Sequence, residues 1–584
     1  MSIVGLAVAA ILAAAPAQAE HAIAMHGEPA LPPGFVSFPH ANPDAPQGGV
    51  LRLAHTGGFD NLNPFIVRGR PAAGLGFTYQ SLLVRNWDEP FALYAGLAED
   101  VKTDPERVSV TFRLNPAARF HDGSEVTVHD VLFSYRTLRR WGRPNHRTYY
   151  GQVDEAKVVG QRSVRFTLQP GNRELPLLLA LMPVFSAADF ETRRFDRVTL
   201  DPLLTSGPYK VAEVDAGRSI TYRRQRPHWT DDVPAYRGRH NFDELRFDYY
   251  RDGDAALTAF LAGAYDVRLE TDPQRWAKAY DTPAARAGDI RLQQFANRSP
   301  AGMFGLALNL RRPPFDDSRV RRAVAHGFDF AWLNRTLFFG AYERTASYFA
   351  GSELAAPWPP SEAELALLQP YRTTLPDELF DGAYAPPDAG DQQAMRANLR
   401  AAQKLLRAAG WQVKDGAATR DGQTLGFEIM ATDRLQEKLA LHLKRNLARL
   451  GIAIDVRLVD SAQYAERRAR FDFDAVFHDW GASLSPGTEQ AFYWSSAAAG
   501  QDGSRNYPGI RSRVVDAMIA RLVSARTREE LVAACHALDR VLQWGNYVVP
   551  LFHQPGDRLA IWNGLAWPAY TAAYGYQIDT WWRE

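Results

Sequence analysis

Hydrophobic positions along the 584 residues change period several times, and each change predicts a different element. Val108, Val110, Phe112 and Leu114 alternate with polar residues, and Val164, Phe166 and Leu168 repeat the pattern. A period of two predicts strands with one wet face. Between them, Asp122-Gly123 marks a turn, and Thr127 with Asp130 has the Thr-x-x-acid spacing of a capped helix start. Gly207 to Trp229 reads as a hairpin whose turn is Asp215-Ala216-Gly217. Further on the period lengthens. Leu435, Leu439, Leu443, Leu447 and Leu450 make a helical stripe ending at Gly451, and Ile452, Ile454, Val456 and Leu458 then share a strand face. Asp460 and Gln463 have the spacing of another helix cap. Leu531, Ala534, Cys535, Leu538, Val541 and Leu542 form one buried helix face, with Gly545 as its stop. Helix-then-strand alternation predicts an α/β chain, and its length predicts two or more lobes. The proline-dense stretch 356–387 is expected to be an ordered excursion on the second lobe.

Composition narrows the function classes. A formal net charge of +1 argues against nucleic acid or an anionic membrane as the partner of the whole chain. The run from Ile3 to Ala15 followed by Ala17-Gln18-Ala19 predicts an export signal over 1–19, with a mature start near Glu20. No Lys or Arg precedes Arg52, so the usual basic n-region is missing. With no cysteine near that site, a periplasmic protein that is not a lipoprotein is expected. Leu175 to Phe185 is too short to span a bilayer. One cysteine excludes an internal disulfide and a Cys-rich zinc site.

Catalytic motifs find no support. His121-Asp122 and His129-Asp130 suggest metal ligands, but a turn and a helix cap account for both carboxylates. His478-Asp479 lacks a nucleophile elbow, a His-Glu-x-x-His helix or a phosphate loop to complete an enzyme. No catalytic residue, metal or cofactor is implied. Arg311, Arg312, Arg321 and Arg322, flanking Asp316, Asp317 and Asp329, read as a salt-bridged helix surface.

Four stretches resemble the family 5 extracellular solute-binding proteins of ABC importers: RFHDGSEVTVHDVLFSYRTL from Arg119, the Gly207 to Trp229 hairpin, LNLRRPPFDDSRVRRAVAHGFD from Leu308, and AAQKLLRAAGW from Ala401. HAIAMHGEPALPPGFVSFPHANPDAPQGG, RTASYFAGSELAAP and the Phe471 to Ile510 segment resemble a peptide-importer subgroup that also takes up the peptide–nucleotide antibiotic microcin C. The resemblance implies an α/β, two-lobed, periplasmic-binding-protein-like fold (type II, the large three-domain peptide-binding class). Mixed sheets with flanking helices and two interlobe crossings are part of that fold. Lobe one would take 20–305 with an inserted subdomain near 80–200. Lobe two would take 306–547, and 548–584 would return to lobe one. The crossings would fall near Leu306–Leu310 and Val548–Phe552.

The same resemblance places ligand contacts on two loops. From lobe one come Phe59, Asp60 and Asn63, although Asn-Pro also simply makes a turn. From lobe two come Asp479, Trp480, Ser483 and Ser485, at the end of a strand where ligands are commonly met. Peptide-binding members often carry an aspartate at the place of Ser483 to pair with the ligand's ammonium group. Asp479 is the alternative acid here, and a core role for Trp480 stays open. Arg505, Asn506 and Tyr507 offer a carboxylate fork and backbone contacts, with a solvated Arg505 the plain alternative. The implied partners are a short peptide (microcin C-like and murein-derived peptides among the candidates) and the permease subunits, with the chain a monomer. A binder of a nickel complex, oligosaccharide or opine, or a secreted hydrolase, is the rival.

Overall fold

The computed structural model describes residues 20–584, so the predicted export signal lies outside the described residues. Two large mixed sheets organise the chain. One has seven strands in the order Ile290–Phe295, Asp557–Trp562, Val267–Leu269, Val50–Thr56, Glu244–Tyr250, Ser219–Arg224 and Tyr209–Asp215. The other has five, in the order Ala453–Leu458, Gly426–Ala431, Ala475–Trp480, Met303–Leu308 and Val548–Pro550. Both combine parallel and antiparallel pairs and carry flanking helices, the two-lobed α/β architecture expected. A four-stranded antiparallel sheet over residues 98–168, packed on Val128–Trp141 and Leu175–Ala180, has its own apolar core.

Local chemistry explains the elements. Val110, Phe112 and Leu114 are buried while the residues between them face outward, and Val164, Phe166 and Leu168 answer them from the paired strand. Thr127 and Asp130 form a reciprocal capping box at the start of Val128–Trp141, each satisfying an amide of the other. Gly451 ends the Arg434–Leu450 helical run in the left-handed conformation.

Three expectations need correction. Leu435 lies 37% exposed, off the buried stripe of Leu439, Leu443 and Leu447, because the first helical turn projects past the sheet. Asn546, at φ 49°, is the left-handed cap of Arg528–Gly545; Gly545 is still helical. The crossings lie outside the segments proposed for them. Met303–Leu308 and Val548–Pro550 are neighbouring strands of the five-stranded sheet, and the chain passes between sheets over 296–302 and 554–556. The second passage lies against the end of the strand that leads into the first. Gln294 Nε2 donates to the Pro555 carbonyl at 2.5 Å, and a Cβ on Gly556 (φ 99°) would sit 2.5 Å from the Phe295 oxygen. Glycine is required there on both counts.

The proline-dense stretch is pinned to the helix Arg528–Gly545. Arg540 Nε donates to Glu364 at 2.5 Å with both side chains essentially inaccessible, and Arg540 Nη2 donates to the Pro357 carbonyl at 2.5 Å. The preceding residue, Asp539, accepts from Ser347 Oγ and from the Tyr348 and Ala356 amides at 2.8–2.9 Å. Breaking a buried pair on one side strands the other charge. Glu364→Ala is expected to destabilise the protein by about 3–5 kcal/mol, while the double replacement Arg540→Met/Glu364→Leu should come close to wild type. Thermal melting of the three proteins checks both.

Candidate functional site

The strand Ala475–Trp480 lies beside Met303–Leu308, with Asp479 opposite Phe304 in the register. Alternation buries Trp480 and turns Asp479 outward. The Trp480 ring meets His478, Trp494 and Tyr507 at centroid distances of 4.7, 4.9 and 5.9 Å, and its indole N–H donates to the Arg505 carbonyl at 3.0 Å. One aromatic block thus ties the strand end to the loop 501–510. Arg468 lies 5.1 Å from the Tyr507 ring and donates to His478 Nδ1 at 3.2 Å. Burial, reinforced by Arg468 and Arg505, pushes the His478 imidazole down to about 3, so it is neutral near pH 7. Asp479 is open at its tip, yet burial raises its carboxyl above the usual range, as in a concave position. Among the described residues no cation lies within 4 Å of that carboxylate.

Structure therefore gathers Asp479, Trp480, Arg505, Asn506 and Tyr507 in one place. Their side chains differ in what they have left to offer. Asn506 is saturated: Nδ2 donates to the Ser495 and Ile510 carbonyls, and Oδ1 accepts from the Gly509 and Ile510 amides. Trp480 is a core ring. Asp479 and Arg505 remain exposed, and the Arg505 Nη1 contact to Tyr493 Oη is long at 3.4 Å. Ser483 and Ser485 follow on the loop; Ser483 Oγ accepts from the Ser485 amide at 3.3 Å.

Phe59, Asp60 and Asn63 sit in a separate place, under the seven-stranded sheet. Phe59 is buried 5.0 Å from the Tyr249 ring. Asn63 donates to the Phe195 carbonyl and accepts from the Phe65 amide, which exhausts its amide. Asp60 accepts from the Arg70 amide at 2.5 Å and is otherwise exposed. The contacts of these three stay within the first half of the chain.

The first half, and the C-terminal segment packed on it, meet the site through other residues. Tyr574 Oη accepts from the Leu484 amide at 3.3 Å, and His26 Nδ1 lies 3.5 Å from Ser485 Oγ. Glu106 pairs with Arg526 at 3.0 Å. Arg85 lies under three rings, Trp87, Phe91 and Tyr574, at 4.5–5.0 Å. Glu174 approaches Gly487 and faces Glu489 from the opposite half. No local motif marks these residues; they meet only because the chain folds across hundreds of positions.

Two further readings are corrected. Arg311 and Arg321 do not pair with Asp316, Asp317 or Asp329. Arg311 clamps backbone instead, donating to the Ala499, Asn506 and Tyr507 carbonyls at 2.7–2.9 Å with its guanidinium 3.8 Å from the Phe471 ring. It is a positioning residue for the loop, and Gly509 makes room for it. Arg321 grips the Phe315 and Gly545 carbonyls. His121 Nε2 donates to the Gly207 carbonyl and Nδ1 meets the Thr205 hydroxyl, and the described residues hold no group of three or more potential metal ligands.

A family model for bacterial extracellular solute-binding proteins, family 5 Middle, matches residues 92–503. A relative from Brucella suis biovar 1, named as a binding protein, is 42% identical over 99% of this chain and 97% of its own. Two Agrobacterium fabrum proteins are 38% identical: YejA, named as peptide-binding, over 99% and 97% of the chains, and YepA, named as peptidoglycan-binding, over 97% and 95%. Among solved structures, NikA from Brucella suis in complex with Fe(III)-EDTA superposes with a TM-score of 0.69 at 19% identity, covering 92% of this chain and all of that one. The periplasmic oligopeptide-binding protein from Thermotoga maritima gives 0.68 at 17%, covering 91% and 96%.

Burial first, then Glu489, raises the Glu174 carboxyl to about 7, with Arg85 opposing. A carboxyl raised on folding contributes fully below its free value of 4.5, and that contribution is lost as pH rises through about 7. Glu174→Gln should therefore melt with wild type at pH 4.5 and above it at pH 7.5. Paired melting curves across this window check the sign.

Proposed function

Since the chain belongs to the family 5 bacterial extracellular solute-binding proteins, we propose that it captures short peptides between its two halves and delivers them to the permease of an ABC importer. In this reading lobe one takes 20–295 and 557–584, lobe two takes 303–553, and the passages over 296–302 and 554–556 join them. The first nineteen residues direct export to the periplasm, where the protein works as a monomer.

The observation that carries the peptide reading is the unpaired Asp479 carboxylate at the end of a central strand, beside an aromatic wall and an exposed arginine. A carboxylate short of solvent and without a cation is stabilised by an incoming ammonium group, and Arg505 is placed to fork onto a carboxylate. Ser483 and Ser485 add hydroxyls for the peptide backbone, and Asp60 adds an acceptor from the other lobe. Trp480, Asn506, Phe59 and Asn63 fix the loops that present them. Water-filled side-chain pockets let one site accept varied sequences. YejA and YepA, equally similar to this chain, are named for peptide and peptidoglycan binding, and murein stem peptides satisfy both descriptions. Microcin C-like peptides fit the same backbone contacts. The NikA likeness speaks for fold alone.

A charge-assisted hydrogen bond is worth about 1.5–3 kcal/mol, roughly tenfold to a hundredfold in affinity. Calorimetry should find that trialanine binds, that N-acetylation weakens it by about that factor, and that Asp479→Asn lowers the free peptide to the acetylated level. Equal binding of both peptides to both proteins removes Asp479 from this role. Sugars or metal chelates raising the melting point where peptides do not would remove the peptide reading.

A further inference from the structure

On the outer face of the second half, apart from the 479–507 cluster, the helices Phe330–Thr336, Gln392–Ala408 and Arg434–Leu447 enclose a depression of about 720 Å³. Its volume is that of a small-molecule site. Arg335, Arg396, Arg445 and Arg449 line it against two carboxylates, Asp329 and Asp391. Both acids are occupied by backbone: Asp329 accepts from the Trp332 amide at 3.0 Å, and Asp391 caps its helix through the Ala394 amide at 2.8 Å. Among the described residues, none of the four arginines has a carboxylate within 4 Å, whereas arginines elsewhere on the surface are commonly paired. Converging guanidinium groups repel one another unless an anion joins them.

A second observation is independent of charge. His442 is 7% exposed and lines the depression, stacked on Trp332 at 5.1 Å and 13°. Both its ring nitrogens face donors, Arg445 Nη2 at 3.3 Å and Asn446 Nδ2 at 3.2 Å. The Asn446 amide is oriented by donating to the Gly327 carbonyl at 2.9 Å. A neutral imidazole accepts at one nitrogen only, so its own N–H, at the nitrogen beside Arg445, is left without an acceptor. Burying such a donor unsatisfied is costly. The start of the 17-residue helix at Asp391–Gln392 adds its positive end to the same space.

We propose that this depression binds a phosphate-type oxyanion, held by Arg396, Arg445 and Arg449 and by the His442 N–H beside Arg445. The oxyanion accepts from both His442 and Arg445, which turns a donor facing a donor into two satisfied bonds. Trp332, 38% exposed with the Arg445 guanidinium 5.1 Å from its ring, forms an apolar wall for whatever the phosphate is attached to. A phosphorylated solute and an anionic lipid headgroup present the same chemistry.

Calorimetry of the full chain with pyrophosphate, and flotation with phosphatidylglycerol vesicles against phosphatidylcholine vesicles, separate the two sources. Pyrophosphate binding that falls at least tenfold in Arg396→Ala/Arg449→Ala supports the site with a free ligand. Flotation with the anionic vesicles alone, lost in the same variant, supports it with a headgroup. Those two side chains make no hydrogen bond or ion pair within the described residues, so the variant should keep its melting point; if it does not, Arg449→Gln repeats the test. In wild type, bound anion should also raise the His442 titration midpoint from about 4, where burial and then Arg445 hold it, as read by NMR. Absence of binding in both assays, or binding unchanged in the variants, overturns the proposal.

Discussion

The contact of the second passage, at Gly556, with Phe295, where the strand leads into the first passage, is the constraint on which the architecture turns. The C-terminal strand Asp557–Trp562 is inserted between Ile290–Phe295 and Val267–Leu269, so the seven-stranded sheet is not complete until the chain has visited the other. Each sheet keeps its own apolar core. What joins them is a pair of short segments lying against each other, with further contacts that are mostly polar and at the rims, such as Glu106 with Arg526. A body built this way resists bending within a sheet far more than at the pair of connections. In the proposed function that is the mechanical basis for closing over a ligand, and a ligand shifts the balance only by preferring the closed arrangement.

Electrostatics at the meeting of the halves favours a charged guest. Asp479 carries a raised carboxyl value because burial removes water without supplying a cation, and at Glu174 burial and the like charge of Glu489 outweigh Arg85. Arg85, held under three rings, has lost part of its own hydration. Groups left in this condition make stronger bonds to an ionised ligand than the same groups would in open water. The aromatic block around Trp480 contributes rigidity and holds Asp479 and Arg505 at fixed positions, and Arg311 does the same from behind by gripping the carbonyls of Asn506 and Tyr507.

Much of the local structure was legible in the residues. Period-two alternation located the strands around Phe112 and Phe166, and the Thr127–Asp130 spacing located a capping box, because both depend on neighbours in sequence. The family and fold were legible from motifs distributed along the whole chain. Legibility failed where the cause was distant. The true left-handed cap was Asn546 because the helix runs through the expected glycine and ends on it. Arg311 and Arg321 were read as surface charges because nearby aspartates offered obvious partners, yet carbonyls from 188 and more positions away claim Arg311. Arg85, Glu174 and Tyr574 carried no motif at all. The loop Phe59–Asn63 drew attention through its polar residues, but Asn61 spends its amide on the turn itself and Asn63 ties the turn to the Phe195 carbonyl.

Mass spectrometry of the small molecules released on denaturing protein purified from its native host addresses the central claim most directly. Chemically intact short peptides with free amino termini, recovered in near-stoichiometric amount, are the predicted result. Recovery of sugars or metal chelates in their place, or of peptides cleaved during storage on the protein, would contradict it.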